Sequence, residues 1–140
     1  MSLALGLDFG TTNSALALAD ERGATLLRFP APQEETTDVY RSVLYFDPDE
    51  LGPDRRPLCV TGPFAIERYL DADGQGRLLQ SIKSYLASRL FKSTSIEGRA
   101  YTLEDLIAKL CRDLRTAAQA QRGALPTPIV VGRPVRFAGS

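Results

Sequence analysis

The sequence predicts an α/β fold in which an antiparallel hairpin sheet gains one parallel strand through a long helix, with an α+β subdomain inserted. Three observations predict this architecture. Short apolar runs at 3–9, 14–19 and 24–29 have the length of strands and are separated by turn residues. Apolar residues recur at three- and four-residue intervals across 103–122, which is the period of a buried helix face. A further short apolar run at 129–132 follows that helix.

The first three strands are predicted to form the hairpin sheet. The run at 3–9 is almost continuously apolar and ends in the letters DFG. Residues 20–23 (DERG) connect the second and third strands, and the Asp and Gly of this turn suit a short antiparallel connection. Pro30 then ends the third strand and opens an acidic loop.

Residues 31–101 are predicted to form the inserted subdomain. Its predicted elements are a strand at 42–46, a loop at 47–57, a strand at 58–61, a helix at 62–70 and a helix at 78–90. Glycines in the stretch DADGQG separate the two helices. The second helix is predicted to bury one apolar face and to carry Lys83 off that face.

The helix predicted at 103–122 is the clearest element. Thr102 is expected to be its N-cap, Asp105 to complete a variant of the capping box, and Gly123 to end the helix. Its buried face is predicted to contain Leu103, Leu106, Ile107, Leu110, Cys111, Leu114 and Ala118. The run at 129–132 is then expected to be a buried parallel strand reached by a helical crossover.

Composition excludes several classes of protein. Hydrophobic residues make up 44% and charged residues 24% of the 140 residues, as is usual for globular proteins. No apolar run approaches the roughly 20 residues of a membrane-spanning helix. The start MSLALG lacks the basic flank of a signal peptide. We therefore expect a cytoplasmic protein without a membrane partner.

The cysteine and charge patterns argue against a zinc-binding or a nucleic-acid-binding protein. Cys59 and Cys111 have no C-x-x-C spacing and the chain has no histidine, so a zinc site is not expected. Both cysteines are expected to be buried, reduced thiols. The net charge is zero, although residues 1–76 are acidic and residues 77–140 are basic. Because the basic residues are spread along predicted helices with few aromatic neighbours, nucleic-acid binding is not expected.

The stretch GLDFGTTNSALALAD, at 6–20, places a group of polar residues at the end of a strand. A magnesium–nucleotide site needs a carboxylate near the metal, a residue without Cβ where the backbone approaches phosphate, and donors to the phosphoryl oxygens. Asp8, Gly10, Thr11 and Thr12 supply these groups within five residues. The stretch is not a Walker loop, because no GxxxxGK[ST] occurs and the next element is a strand. A plain hairpin turn is the alternative, since Asp, Gly and Thr all favour turns.

Four stretches resemble segments of known ATPases. GLDFGTTNSALAL resembles the first phosphate loop of the actin-like ATPase superfamily, which includes heat shock protein 70 (DnaK-type) chaperones and sugar kinases. RSVLYF resembles the chaperone segment that follows the first hairpin, and LLQSIKSYLASRLF resembles the helix that carries their catalytic lysine. YTLEDLIAKLCRDLRTAAQAQRG with PIVVGRPVRF resembles their long helix and the strand after it. The form GRPVRF resembles the divergent YegD-like branch.

The resemblance implies the N-terminal half of an actin-like, ribonuclease-H-like ATPase domain. Residues 1–30 and 102–140 would form part of the first ribonuclease-H-like lobe, and residues 31–101 the inserted subdomain. The second half of the ATPase domain and any peptide-binding domain are expected to be absent, since no second D-x-G-G/T loop follows the first. The implied function is a contribution to Mg-ATP binding and hydrolysis in a longer stress-response chaperone, with this chain alone weak or inactive.

The resemblance also implies roles for residues of the first loop. Asp8 would hold Mg²⁺ through water, and Gly10 would let the backbone approach phosphate. Thr11 and Thr12 would contact the phosphates, and Thr11 would also help to position the attacking water. Asn13 stands where the chaperones often have an aromatic residue and completes the implied nucleotide-binding set.

Lys83 is the catalytic residue that the resemblance implies for the inserted subdomain. Its ammonium would reach toward the γ-phosphate, where it would orient water and balance developing charge. A solvated lysine is the alternative interpretation. Arg133 and Arg136, after the last predicted strand, are interpreted as solvated side chains.

Other functions stay open at this stage. A sugar kinase shares the D-x-G-T-T pattern, but no carboxylate of the inserted segment has a spacing that specifies a catalytic base. A non-catalytic interaction module is a third possibility. The implied partners are ATP or ADP and, through parts beyond this chain, unfolded polypeptides. Apolar surface that is left uncovered is expected to make the chain self-associate.

Overall fold

The computed structural model describes residues 2–87, 93–126 and 129–132. The strands in these ranges are β1 (Ser2–Phe9), β2 (Asn13–Asp20), β3 (Gly23–Leu26), β4 (Phe29–Pro30), β5 (Thr36–Thr37), β6 (Tyr40–Arg41), β7 (Val43–Leu51), β8 (Pro57–Thr61), β9 (Arg77–Gln80), β10 (Ser93–Ile96), β11 (Arg99–Thr102) and β12 (Ile129–Gly132). The helices are α1 (Pro63–Asp71), α2 (Leu103–Arg122) and a 3₁₀ helix at Ile82–Ala87. None of the helices in the described ranges is long and apolar enough to cross a membrane. The architecture is mixed α/β, with a core that is mostly sheet.

The main sheet confirms the predicted hairpin with one added parallel strand. Its strand order is β12-β1-β2-β3, and β6 pairs with the beginning of β2. β1 and β2 run antiparallel from the closing pair Phe9↔Ser14, and β12 lies parallel to β1 on its other side. Asp20 and Gly23 form the pair that closes the turn between β2 and β3, as the sequence predicts.

α2 packs its apolar face on this sheet and completes the main core. The Thr102 side chain accepts a hydrogen bond from the Asp105 N–H, and the Asp105 carboxylate accepts one from the Thr102 N–H, which confirms the capping box. Gly123, with a φ of 77°, ends the helix. The buried residues of α2 are Leu103, Leu106, Leu110, Leu114 and Ala118, whereas Ile107 and Cys111 are only partly buried.

β12 contradicts the prediction of a buried strand. Ile129, Val130 and Val131 are 53%, 64% and 57% exposed. Within the described residues β12 pairs with β1 alone and therefore forms an edge of the sheet. An edge strand has a neighbour on one side only, so its outer backbone groups and much of its side-chain surface stay accessible.

The helix predicted at 78–90 is wrong, because its first part is strand β9 and its next part is the 3₁₀ helix. β9 pairs antiparallel with β7, so the adjacent Leu78 and Leu79 lie on opposite faces of the small sheet β8-β7-β9. Leu79 packs against the main core and Leu78 against a second, smaller apolar cluster. A strand buries both leucines, whereas an amphipathic helix would bury only one face. Ser81, with a φ of 56°, separates the two elements.

β7 is longer than the sequence predicts. The strand expected to end at 46 continues to Leu51, and β8 pairs with it as a hairpin. The predicted loop at 47–57 therefore shrinks to 52–56. The pairing is irregular after Asp47, and Pro48 is tolerated there because a bulge does not require its missing N–H.

The remaining elements show a mixture of agreement and difference. β8 and α1 confirm the predicted strand at 58–61 and helix at 62–70, each to within one residue at either end. The predicted strand at 24–29 is divided into β3 and β4, and the hairpins β4–β5 and β10–β11 were not predicted. Residues 88–90 of the helix predicted at 78–90 lie outside the described ranges. The expectation of two buried thiols is wrong in part, because Cys59 and Cys111 are free but only partly buried. Burial raises the pKa of the Cys59 thiol to about 12 and also raises that of Cys111.

Candidate functional site

The loop between β1 and β2 is a tight turn in which a single glycine is required. A Cβ built on Gly10 would lie 2.1 Å from the carbonyl oxygen of Asn13, which is far inside the contact distance of two such atoms. The turn therefore closes only when residue 10 has no side chain. Thr11, Thr12 and Asn13 are all exposed, so their side chains are available to a ligand.

The loop is attached to the segment that begins β7. Ser42 N donates a hydrogen bond to the Thr12 carbonyl at 2.9 Å. The hydroxyls of Ser14 and Ser42 share a 2.8 Å hydrogen bond, and both side chains are almost completely buried. β6 adds backbone pairing, with Arg41 opposite Asn13. These contacts hold one side of the loop against the inserted segment.

Asp8 lies at the end of β1, where it is exposed and stands opposite Ala15 on one side and Gly132 on the other. Among the described residues no three Asp, Glu, Cys or His side chains cluster as metal ligands. Mg²⁺ usually keeps several of its waters and is held through one or two carboxylates together with substrate phosphates. A lone, exposed Asp8 two residues from Gly10 fits a water-held Mg²⁺ of this kind and does not fit an all-protein metal cage.

Lys83 is brought to this loop although its helix was predicted incorrectly. It lies in the 3₁₀ helix, and its ammonium donates a hydrogen bond to the carbonyl of Phe9, the residue that precedes Gly10. Lys83 Nζ is also 6.0 Å from the centre of the Phe9 ring. Ile82, which is 2% exposed, anchors the 3₁₀ helix in the main core. Asp8, Gly10, Thr11, Thr12 and Lys83 thus belong to one region of the surface.

Some residues considered from the sequence are not placed by the structure. Arg133 and Arg136 lie outside the described residues. Conversely, the sequence did not identify Tyr40, Arg41 and Ser42 as neighbours of the loop. The only available signal was that RSVLYF resembles the chaperone segment after the first hairpin. The Nε of Arg41 is buried and has no hydrogen-bond partner in the described part of the chain.

A chain of polar contacts continues from this segment to α2. Thr61 Oγ1 donates to Asp113 Oδ2 at 2.7 Å, so the Tyr40 hydroxyl must be the donor in its 2.6 Å contact with Thr61 Oγ1. Burial raises the pKa of Tyr40 to about 12, and the Asp113 carboxylate adds to the rise. Tyr40 therefore keeps its proton at neutral pH. Lys109 pairs with the other oxygen of Asp113 at 3.0 Å.

Comparison with known proteins relates the chain to a chaperone. No protein-family model matches the chain. The chaperone protein DnaK of Mycoplasma mycoides subsp. mycoides SC is 27% identical to it over 134 residues, which is 95% of this chain and 20% of the chaperone. The chain thus spans a fifth of the length of that relative. This similarity suggests an Hsp70-like relationship and is compatible with a partial ATPase domain.

Proposed function

We propose that the chain acts as part of a longer, Hsp70-like chaperone ATPase and that the loop after β1 is the first phosphate loop of its Mg-ATP site. The similarity to DnaK over nearly the whole chain supports a relationship to the Hsp70-like chaperones. We extend the proposal to an actin-like, ribonuclease-H-like fold of the YegD-like branch. Residues 1–30 and 102–140 would belong to the first lobe, and residues 31–101 would form the inserted subdomain.

The observation that carries the proposal is the hydrogen bond from Lys83 to the carbonyl of Phe9. A D-x-G-T-T turn and a distant lysine were both interpreted from the sequence as parts of a nucleotide site, the lysine through the family resemblance alone. A plain hairpin turn provides no reason for a lysine from the inserted segment to lie against it. A phosphate loop does give such a reason, because a lysine ammonium beside backbone N–H donors stabilises a bound phosphoryl group.

Each loop residue has a chemical task in this proposal. The backbone of Gly10 and the donors of Thr11 and Thr12 would bind phosphoryl oxygens, and Asn13 would add a polar side chain at the edge. Asp8 would hold Mg²⁺ through its water shell, and the metal would supply neutralisation of phosphate charge. The Thr11 hydroxyl would orient the attacking water.

Lys83 would supply positive charge next to the transferring phosphate. Its ammonium has three N–H donors and uses one of them on Phe9, so the side chain can be held in place while it also donates to a phosphoryl oxygen or to water. Developing negative charge in the transition state would be stabilised most by a cation that needs no rearrangement. ATP or ADP would be the direct ligands, and unfolded polypeptides would be bound by other parts of the longer, cytoplasmic protein.

ATP hydrolysis by the longer protein that contains this chain tests the proposal. Thr11→Ala and Lys83→Ala should each lower kcat about 100-fold, the usual effect of removing one preorganised transition-state donor. Thr25→Ala and Arg99→Ala are matched controls, because both residues are exposed and lie outside the loop. Unchanged turnover in both loop-site variants would contradict the catalytic assignment. A sugar-dependent consumption of ATP would instead identify a sugar kinase, and no ATP binding at all would indicate an interaction module.

A further inference from the structure

We propose that Ser42 is a positioning residue for the phosphate loop and that Asp113 on α2 supports it through Tyr40. This inference rests on the proposed function, because it concerns how the same loop is held. Neither residue is expected to touch the nucleotide. Both belong to a path of hydrogen bonds that leads from the loop to the long helix and is joined at one point by the backbone between Tyr40 and Ser42.

The loop end of the path has two separate contacts to one residue. Ser42 binds the Thr12 carbonyl through its backbone N–H and the Ser14 hydroxyl through its side chain, at 2.9 and 2.8 Å. Thr12 lies within the loop and Ser14 is the first residue that pairs back to β1. Ser42 therefore determines the position of the loop at two points, on both sides of Asn13.

The far end of the path is tied to α2. Tyr40 OH contacts Thr61 at both the carbonyl (3.2 Å) and Oγ1 (2.6 Å), and Thr61 Oγ1 donates its own hydrogen bond to Asp113. Tyr40 and Ser42 are separated by one residue, so a displacement of the Tyr40 backbone would be transmitted to Ser42 through the chain. Hydrogen bonds in a buried network strengthen one another, and loss of one member affects the rest.

Packing also holds the Tyr40 ring on two of its sides. A Cβ on Gly62 would lie 2.2 Å from the ring, so the ring lies directly on the backbone at that position. Gly62 N in turn donates to the carbonyl of Val43 at 3.2 Å. The ring also meets Phe29 edge-on, with 5.2 Å between the ring centres. The segment from Tyr40 to Val43 is thereby held by contacts that do not involve the loop.

Titration of the 140-residue chain with magnesium pyrophosphate, followed through the amide NMR signals of the loop, tests this inference. Ser42→Ala should raise the Kd about fivefold, which is the effect of losing one neutral hydrogen bond. Asp113→Asn should also raise the Kd, by a smaller factor. Ser95→Ala and Asp49→Asn serve as controls, because these exposed residues lie away from the path and should leave the Kd unchanged.

A purely structural role of Ser42 predicts a different result. Ser42→Ala leaves the buried Ser14 hydroxyl without its partner and should lower the melting temperature, whereas Ser14→Ala with Ser42→Ala removes both hydroxyls and should recover much of that loss. A positioning role requires the Kd of the double variant to stay raised after stability has recovered. If affinity recovers together with stability, or if Ser42→Ala is folded with an unchanged Kd, the inference is overturned.

Amide hydrogen exchange separates this inference from the proposed function. Without any ligand, Ser42→Ala should speed exchange at Thr11, Thr12 and Asn13, while the Ser95→Ala control should not. If pyrophosphate fails to bind the wild-type chain but exchange at the loop is still faster in Ser42→Ala, the proposed function fails and the positioning role stands. Unchanged loop exchange in Ser42→Ala refutes the positioning role whether or not pyrophosphate binds.

Discussion

Lys83 and Phe9 are 74 residues apart in the sequence, yet the lysine ammonium donates a hydrogen bond to the phenylalanine carbonyl. The contact joins the inserted segment to the end of the first strand. The carbonyl belongs to the last residue before the glycine turn, so the cation lies at the entrance of the loop. This relationship gives the lysine a local role that can be separated from its proposed chemical one.

Replacement of Lys83 by alanine should cost little stability. The side chain is only partly buried, and the substitution removes one hydrogen bond, so the free energy of unfolding should fall by about 1 kcal/mol. Urea unfolding of the 140-residue chain measures this value. A loss above about 3 kcal/mol would show that Lys83 is required for folding, and a fall in ATP turnover could then not be assigned to the site.

Gly10→Ala should open the loop. The new Cβ would overlap the Asn13 carbonyl oxygen, and because this oxygen belongs to the backbone the turn itself must move. We expect a loss of about 1–3 kcal/mol in the free energy of unfolding, with shifted amide signals at Thr11 and Thr12. Gly6→Ala in the same strand is the control, since its Cβ would meet only the Ala17 oxygen at 3.9 Å. Equal effects of the two substitutions would contradict the close approach at Gly10.

Gly62→Ala should be far more damaging than Gly98→Ala. The two glycines have almost the same φ, 78° and 77°, so the backbone strain of an alanine is matched. At Gly62 the added Cβ collides with the Tyr40 ring, whereas at Gly98 nothing lies within 4 Å. Gly98→Ala should cost about 1 kcal/mol from strain alone, and Gly62→Ala at least about 2 kcal/mol more. Thermal unfolding of the two variants at one pH compares them directly.

Asp105 should make the free energy of unfolding depend on pH in the acidic range. The backbone hydrogen bond from Thr102, followed by the contact with its side chain, lowers the pKa of Asp105 below its ordinary value of 3.8. The pKa of Asp105 is lower in the folded chain than in the unfolded chain. The carboxylate therefore stabilises the fold fully at pH values above its unfolded pKa, and this stabilisation is lost as the pH falls through its folded pKa. Asp105→Asn should therefore flatten the fall in stability below about pH 4. Glu104→Gln removes a charge from the same turn without touching the cap and should not flatten it.

The exposed edge strand β12 should make the chain self-associate. Its three apolar side chains are each more than half exposed, and its outer backbone groups are unpaired in the described residues. Sedimentation velocity over a range of concentrations should detect dimers or larger species. Val130→Lys should suppress them, since a charge on an edge strand disfavours further strand pairing. A wild-type chain that stays monomeric at high concentration contradicts this expectation.

The sequence predicted well those elements whose stabilising interactions lie within a short stretch of the chain. The Thr102–Asp105 capping box and the turn between Asp20 and Gly23 each satisfy their backbone groups within four residues, so the sequence alone identifies them. The apolar period of α2 also predicted its buried face. The antiparallel hairpin and the parallel strand after the helix followed from the same patterns, because a hairpin and a helical crossover admit few arrangements.

Elements that depend on distant partners were predicted less well. Leu78 and Leu79 fit a helix as well as a strand until β7 is known to lie between two apolar clusters. β12 is apolar enough for a buried strand, but its exposure depends on which neighbours it has. In the candidate site, Lys83 was identified only through a resemblance, and Ser42 was missed because a serine between two strand segments carries no signal of what it contacts.

The separation between the loop and its lysine has a consequence for synthesis of the protein. At typical rates of about 5–20 residues per second, Lys83 is added roughly 4–15 s after Phe9, whereas a hairpin such as β1–β2 forms within microseconds. Pairing of β12 with β1 comes later still, because the whole intervening chain must first be made. On the ribosome the glycine turn therefore exists for seconds as an exposed hairpin without its cation. Throughout that interval the nascent chain has the glycine turn of the proposed phosphate loop but lacks the Lys83 ammonium that lies against it in the folded chain.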